Sequence, residues 1–210
     1  MIKKRNFLIG AILLLSHGYL EATDFNKKDP CKWKLAKEED NIFIYYRWLD
    51  ADTMKAREMR ALFLIDADID AILPQFTSAA NYSSWAVGIK ECKIYPVNDS
   101  SWVNYMVMDY PWPFRKKDLV AKCQLIKNGK EMTLKMLADN DFLDKNPEME
   151  RIRDYQGIWS FIPEERGGIH VEYRVVSFTK PVFPRFVQDP VIQDLLIDSF
   201  RDLKRLAETK

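Results

Sequence analysis

The sequence predicts an α+β domain in which one long antiparallel sheet curls around a C-terminal helix. Most of the chain consists of short segments rich in β-branched and aromatic residues, separated by turn residues, and its last twenty or so residues have an amphipathic helical pattern. A continuous antiparallel sheet of this length curls, and its concave apolar face needs a cover. The C-terminal helix is therefore expected to lie on that face.

The first two strands are predicted at residues 41–49 and 57–65, where aromatic and β-branched side chains are dense. The polar stretch from Asp50 to Asp52 indicates a turn between them. Asp68 occupies an N-cap position ahead of apolar residues at helical spacing up to Phe76, so a short helical region follows. The polar cluster at residues 77–84 predicts a break in it.

Six further strands follow this helical region. The pattern places them at residues 90–97, 101–110, 117–126, 131–138, 155–162 and 169–178. Asn128-Gly129 is the strongest hairpin signal, and Gly167-Gly168 is another. Residues 139–152 form the only long interruption, so the chain has neither repeats nor linkers that would divide it.

The last element is predicted to be a long helix over residues 189–208, with Pro190 in its first turn. One broad face of this segment is apolar and the other is charged. The apolar face contains Val191, Ile192, Leu195, Leu196, Phe200, Leu203 and Leu206.

Composition excludes several classes of protein. With 210 residues, 47% of them hydrophobic, the chain has enough apolar material for one sizeable core. The 32 Lys and Arg residues balance 31 Asp and Glu residues, which argues against a nucleic-acid partner because phosphate binding needs a basic excess. The even spread of apolar residues also argues against disorder.

Residues 1–22 have the layout of a secretory signal peptide: Lys3, Lys4 and Arg5 precede an apolar run, and Ala22 supplies a small residue for cleavage. The mature domain would then be residues 23–210, in the periplasm or secreted. An uncleaved anchor is the alternative, although the apolar run is short for a bilayer. Three cysteines, an odd number, allow at most one disulfide.

Four stretches, in order, resemble START lipid-transfer domains, which have the helix-grip fold. Residues 110–120, YPWPFRKKDLV, resemble the family's "P…RDhV" signature, with Lys117 where the family usually has Arg. Trp85 resembles the tryptophan after the first internal helix. Residues 151–163 resemble an "hR…G…h.P" stretch, and residues 180–187 resemble the segment before the last helix, with Lys-Pro in place of Gly-Gly. The resemblance covers about residues 33–207.

The resemblance implies a hydrophobic tunnel between sheet and helix that holds one lipid or other apolar molecule without changing it. It implies a monomer and no cofactor. It also implies that Cys92 and Cys123 are both free, because a strand lies between their two strands in the helix-grip order.

Strand alternation identifies the residues that face inward. From periodicity alone they either fill a core or line a cavity, and the resemblance implies the cavity. Asn104 is the polar exception, since a buried amide needs partners and could hydrogen-bond a lipid head group or a core group. The candidate ligand-binding residues are Trp102, Asn104, Met106, Leu119, Ala121, Cys123, Leu134, Met136, Trp159, Tyr173, Leu196 and Phe200.

The loop at residues 110–114, before the fifth predicted strand, has two prolines and large aromatic residues, which predicts a rigid apolar tip. In START domains the corresponding loop closes the tunnel mouth, so Trp112 and Phe114 are expected to form a gate that dips into a membrane surface. Residues 115–117 add three basic side chains that favour anionic head groups. The alternative is that the loop simply packs against the C-terminal helix.

Catalytic and metal-binding interpretations have little support. His170 is the only histidine beyond the signal segment, and alternation places it on the polar face of its strand. The spacing of Cys, His and acidic residues fits neither zinc nor calcium, so no metal site is expected. A cyclase or hydrolase that uses the same cavity remains the main alternative, with Lys117 or Tyr173 as acid or base. A third possibility is a protein that acts only through its surface and binds nothing inside, in which case its interior should be fully packed.

Overall fold

The structure is a computed structural model that describes residues 33–51, 54–110, 114–177 and 183–209. The predictions made for the signal peptide at residues 1–22, for Asp52 in the first turn and for Trp112 lie outside these residues. All the described residues belong to one compact unit, Cys31–Lys210. In this part of the chain no helix is long and apolar enough to cross a membrane.

Within the described ranges the chain forms ten strands and four helices. In chain order they are β1 (Lys34–Glu39), β2 (Ile42–Ala51), β3 (Met54–Ile65), α1 (Ile69–Ile72), α2 (Pro74–Thr77), α3 (Ala79–Trp85), β4 (Ile89–Asn98), β5 (Ser101–Met108), β6 (Lys117–Asn128), β7 (Glu131–Ala138), β8 (Glu150–Arg151), β9 (Tyr155–Pro163), β10 (Ile169–Ser177) and α4 (Arg185–Glu208).

The strands form one curved sheet in the order β1-β2-β3-β10-β9-β7-β6-β5-β4, and all neighbours on this path are antiparallel. The short β8 pairs with the start of β6 in the parallel direction. Helix α4 packs on the inner face, where Phe200 stacks on Phe63 of β3 with ring centroids 4.8 Å apart. The predicted α+β architecture, a sheet around a C-terminal helix, is confirmed.

The strand alternation correctly identifies the buried face. The apolar residues at alternate positions of β5 and β6 belong to the inner core, as do Leu134 and Met136 of β7. They are Trp102, Met106 and Met108 of β5 and Leu119, Ala121, Cys123 and Leu125 of β6. The hairpin predicted at Asn128-Gly129 is present one residue later, because Asn128 pairs with Glu131 and the two loop residues are Gly129 and Lys130. Gly129 has φ of 60° at the first loop position, as a type II′ turn requires.

The pattern missed strand β1. Its sequence, KLAKEE, has no apolar alternation, and it lies at the edge of the sheet. Asp40 and Asn41, both with positive φ, form the two-residue turn that joins it to β2. Ion pairs from Lys37 to Asp194 and from Arg201 to Glu39 tie the strand to α4. Backbone pairing with β2 therefore places this edge strand, and the ion pairs connect it to α4.

Two helix predictions were wrong in extent. The break predicted over residues 77–84 is present but is confined to Ser78, which is extended between α2 and α3. The Ser78 side chain accepts a hydrogen bond from the Asn81 amide and caps α3, so residues 79–85 are helical. Tyr82 and Trp85 then bury one face of that helix. Helix α4 begins at Arg185 rather than residue 189, so Pro190 lies inside the helix. The first turn is closed by the amides of Val187 and Gln188, which donate to the carbonyl of Pro184, and Arg185 lies 3.8 Å from Asp189 one turn later.

The segment at residues 139–149 covers part of the outer face of the sheet. Beneath it, Arg151 donates two hydrogen bonds to one carboxylate oxygen of Asp118, at 3.0 and 2.7 Å, and further bonds to the carbonyls of Leu143 and Asp144. Both charged side chains are almost fully buried. These two residues belong to the motifs that suggested the START resemblance, and their part in this structure is to hold that covering segment.

Candidate functional site

A cavity of about 310 Å³ lies between the first half of α4 and the concave face of the sheet. We call it the outer cavity. A second space of about 110 Å³, the inner cavity, has several wall residues in common with it. The residues common to both walls are Val87, Met108, Tyr110, Leu119, Tyr155, Tyr173, Leu196 and Ser199. The two spaces are therefore adjacent parts of one site.

The two parts differ in chemistry. Residues that line only the inner cavity are apolar or aromatic: Tyr82, Trp85, Ala86, Ile89, Met106, Trp159 and Phe200. Among the described residues, those of the site that carry a charge line only the outer cavity, namely Arg57, Arg115, Lys117, Arg185 and Asp189. The site is thus apolar at its inner end and charged at its outer end, which suits an elongated amphiphilic molecule better than a wholly apolar one.

A pair of tyrosines forms the polar part of the middle of the site. The hydroxyl oxygens of Tyr155 and Tyr173 lie 3.0 Å apart. Burial raises the pKa of each hydroxyl well above its usual value near 10, so both stay protonated at neutral pH. Since the pair has two protons and one mutual hydrogen bond, one hydroxyl hydrogen remains available to a ligand.

Ser199 of α4 also lines both parts, but its hydroxyl is occupied. It donates to the carbonyl of Leu195 at 2.7 Å and accepts from the amide of Val87 at 3.0 Å. These bonds join α4 to the turn before β4. Ser199 therefore acts as a structural contact between two walls of the site.

At the outer end, Asp189 of α4 pairs with Arg57 of β3 and lies 3.8 Å from the guanidinium of Arg185. The side chain of Arg57 is only 9% exposed. Its guanidinium also lies 3.8 Å above the ring of Tyr46, a cation–π contact. One carboxylate therefore lies between two guanidinium groups at this end.

The other basic residues of the outer cavity come from the loop before β6 and from β6 itself. Lys117 is paired with Glu150 at 3.1 Å, which offsets its charge. Arg115 is exposed, and it forms no ion pair with any residue that the structure describes. Phe114 packs against Tyr110 with ring centroids 6.0 Å apart. The described end of the expected gate loop thus lies at the outer opening.

The structure brings half of the candidate ligand-binding residues to the site. Met106, Leu119, Trp159, Tyr173, Leu196 and Phe200 line one or both cavities, and so does Phe114 of the expected gate. Trp102, Asn104, Ala121, Cys123, Leu134 and Met136 do not line either cavity and lie among the packed buried residues. Trp112 lies outside the described residues. Both groups of residues face the inner side of the sheet in the strand pattern. Alternation therefore could not distinguish residues that line a cavity from residues that fill the core.

Asn104 is 1% exposed, and its side-chain oxygen has no hydrogen-bond partner in the described part of the chain. Cys92 and Cys123 are both free, as expected. The candidate residues also omitted Arg57, Tyr155, Arg185 and Asp189. For Arg57 a signal existed, because it alternates with Met59, Ala61 and Phe63 on the inward face of β3, where a charge is unusual.

The comparisons with known proteins agree with this architecture. No family model matches the chain. An uncharacterized protein of Pseudomonas aeruginosa is 24% identical over 179 residues, a match that covers 85% of this chain and 88% of that protein. A crystal structure of a STAR-related lipid transfer protein fragment from Xanthomonas axonopodis is 21% identical, with a TM-score of 0.75, covering 85% of this chain and 99% of that one.

More distant structures share the fold. Human StAR-related lipid transfer protein 5 is 10% identical with a TM-score of 0.71, covering 86% of this chain and 88% of that one. An aromatase/cyclase from a Streptomyces species is 11% identical with a TM-score of 0.54, covering 73% and 94%. The chain therefore has the START-like helix-grip fold. The resemblance seen in its motifs is confirmed at the level of the fold.

Proposed function

We propose that this protein binds a single hydrophobic molecule in the outer and inner cavities and releases it unchanged. The observation that supports this most is the cavity itself, since the rest of the inner face is filled by packed side chains. Its volume is at the lower end of the about 300–1,000 Å³ typical of small-molecule sites. A ligand with one chain or a compact ring system fits this space better than a lipid with two long acyl chains.

The driving force would be removal of apolar ligand surface from water, at roughly 25 cal/mol per Å². The walls that would contact the apolar part include Met106, Leu119, Trp159 and Phe200. The thioether of Met106 adapts to ligands of irregular shape. The Tyr155 and Tyr173 hydroxyl pair would supply a hydrogen bond to an oxygen of the ligand.

Mass spectrometry tests this proposal. The full chain is purified and extracted with organic solvent, and native spectra are compared before and after extraction. A stoichiometric hydrophobic ligand is expected, and the emptied protein should take it up again. A protein that holds no hydrophobic molecule and takes up no fluorescent lipid would contradict the proposal.

A matched pair of variants connects the uptake to this cavity. Leu195 lines the outer cavity, whereas Leu137 on β7 is 48% exposed. Leu195→Trp should fill the space and abolish uptake, while Leu137→Trp should leave uptake unchanged. Equal uptake by both variants would show that the ligand binds elsewhere.

Ligand exchange would take place at a membrane. Aromatic and basic side chains surround the opening. Phe114, Arg115 and Arg185 line it, and the Arg185 guanidinium lies over the ring of Trp48. The side chains of Trp48 and Phe186 are 42% and 81% exposed. Aromatic rings favour the interface, and basic groups favour anionic head groups. Phe186→Ser should reduce co-sedimentation with phosphatidylglycerol-containing vesicles, whereas Val97→Ser, at an exposed position on β4, should not. Equal losses in both would argue against contact at the opening.

The second candidate function is an enzyme of the cyclase type. The specific observation in its favour is the tyrosine pair in the cavity, whose raised pKa values make the hydroxyls donors to a carbonyl oxygen rather than bases. Lys117, the other candidate acid or base, is already paired with Glu150. Recovery of the added ligand with unchanged mass would favour binding. A product that disappears in Tyr155→Phe would favour catalysis.

The predicted signal peptide is part of the same proposal. Export of residues 23–210 would place the protein beside a membrane that holds amphiphilic molecules. The mass of the protein recovered from the periplasm or the medium of an expressing bacterium tests this directly. A mass that retains residues 1–22 would contradict cleavage after Ala22.

A further inference from the structure

The charged end of the outer cavity contains a buried cation with unused hydrogen-bonding capacity. Arg57 lies on the inward face of β3, and its side chain is 9% exposed. Its Nε atom is buried, and no group in the described part of the chain accepts a hydrogen bond from it. An unpaired N–H in such a position costs free energy, so a ligand atom that accepts from it would be favoured.

Charge at this end is also unbalanced. Asp189 is the only acidic residue among the described residues that line the outer cavity, and both Arg57 and Arg185 face it. Arg115 adds a further positive charge at the opening. Lys117 is already offset by Glu150. A second negative charge placed among these guanidinium groups would therefore be attracted.

The pKa values of the two arginines agree with this arrangement. Burial lowers the pKa of Arg57, and the nearby Arg185 cation lowers it as well. Burial also lowers the pKa of Arg185. The two guanidinium groups thus lie in a partly desolvated environment and repel each other. An anion between them would offset the cost of desolvation and reduce the repulsion.

The geometry of an arginine suits a carboxylate or a phosphate. A guanidinium presents its N–H groups in a planar fork, and Asp189 accepts only from Nη1 of Arg57, while the buried Nε has no partner among the described residues. An anion that displaces the groups around Nε would therefore satisfy a donor that the protein leaves unpaired. The first turn of α4 lies at the same end, and the positive end of its dipole adds to the potential there.

We propose that the ligand is an amphiphile with one anionic group, a carboxylate or a phosphate, that binds Arg57 and Arg185. Its apolar part extends past the tyrosine pair toward Trp159 and Phe200. This inference rests on the proposed function and specifies its ligand class. In the absence of ligand, Asp189 serves as the partner of Arg57, and the ligand anion takes over part of that contact.

Three probes with the same chain and different head groups test the proposal. Laurate, lauryl phosphate and lauryl alcohol are titrated into the delipidated full chain by calorimetry, the two anions below their critical micelle concentrations and the alcohol below its solubility limit. A hydrogen bond between two charged groups is stronger than one to a neutral hydroxyl, so at least one of the anions should bind about tenfold or more tightly than the alcohol. The tighter of the two anions identifies the head group as a carboxylate or a phosphate.

Variants of Arg57 and Arg185 test whether the preference for the anionic probe depends on these two residues. Arg57→Gln and Arg185→Gln should each remove most of the preference for the anion and leave affinity for the alcohol within about twofold. Arg205→Gln, at an exposed position on the same helix paired with Asp202, is the matched control and should change neither. Equal affinity for anion and alcohol in the native protein, or equal loss of both in Arg57→Gln, would overturn the proposal while leaving hydrophobic binding intact. Failure of all three probes to bind would instead contradict the proposed function.

A loss of preference in Arg57→Gln would also follow from misfolding, so a further variant keeps Arg57. Asp189→Asn eliminates the competing carboxylate and leaves both guanidinium groups in place. It should raise affinity for the preferred anion by about tenfold and leave affinity for lauryl alcohol unchanged. An unchanged or reduced affinity for the anion in a folded Asp189→Asn protein would overturn the proposal.

Discussion

The hydroxyl oxygens of Tyr155 and Tyr173 lie 3.0 Å apart, although the two residues do not face each other in the sheet. In the register of β9 and β10, Tyr155 pairs with Ser177 and Tyr173 pairs with Trp159. The Tyr155 side chain therefore extends along its own strand, and its ring lies over Gly157. A Cβ atom at Gly157 would lie 2.5 Å from the Tyr155 hydroxyl, so this contact requires a glycine there.

Gly157→Ala should therefore displace the Tyr155 ring and break the hydroxyl pair. We expect a loss of about 1–3 kcal/mol in the free energy of unfolding, measured by urea denaturation, because the added methyl overpacks the site. In a Tyr155→Ala background the same substitution should cost much less. Additive effects of the two changes would show that residue 157 acts independently of the ring.

Arg151→Met should be among the most destabilising single changes outside the cavity. It leaves the buried carboxylate of Asp118 without its partner and frees the carbonyls of Leu143 and Asp144. We expect a loss of about 3–5 kcal/mol in unfolding free energy, while ligand uptake by the surviving folded protein persists. Arg153→Met, at an exposed position two residues later, should cost less than about 0.5 kcal/mol. Similar losses in both variants would contradict a special contribution of this buried pair.

Stability should fall above pH 10. Burial raises the pKa of Tyr110 to about 12, and it also raises the pKa values of Tyr82, Tyr155 and Tyr173. Below the unfolded pKa of about 10 the hydroxyls are protonated in both states, so pH has no effect through them. Above it the unfolded chain ionises first, and stability is lost as pH rises toward the folded pKa.

Chemical denaturation at a series of pH values, together with tyrosinate absorbance, measures this effect. The four buried tyrosines should ionise only as the protein unfolds. Early, complete ionisation of all nine tyrosines without unfolding would contradict the burial of these four.

The two described cysteines should react slowly with thiol reagents. Burial raises the pKa of Cys92 to about 11 and that of Cys123 still further. At pH 8 only about one in a thousand Cys92 side chains is then a thiolate, the reactive form. In a Cys31→Ser variant, labelling with iodoacetamide should be slow in the native protein and rapid in urea. Rapid native labelling of Cys92 would show that its side chain opens to solvent.

Local patterns in the sequence predicted the elements that depend on local contacts. Alternation in β5 and β6 identifies the inward faces, because each successive strand residue points to the opposite side of the sheet. Alternation fails at β1, which has no apolar period; it is held by pairing with β2 and by ion pairs of Lys37 with Asp194 and of Glu39 with Arg201. Those partners are far apart in the chain and carry no shared local pattern.

The division between core and cavity could not be predicted in this way. Leu119 and Cys123 lie on the same face of β6, yet Leu119 lines the cavity and Cys123 does not. The difference depends on which half of α4 packs closely on the sheet. Phe200 and Leu203 fill the space in its second half, whereas the first half lies above the cavity.

By itself the sequence determined the positions of most strands along the chain, the hairpin near Gly129, the buried faces of the sheet and the amphipathic last helix, because periods of two and 3.6 residues are local properties. Only the tertiary structure decided where space is left inside and which polar groups border it. Arg57 and Asp189 are 132 residues apart in the chain, and only the packing of α4 against β3 brings them together. The chemistry of the cavity depends on such contacts between distant residues.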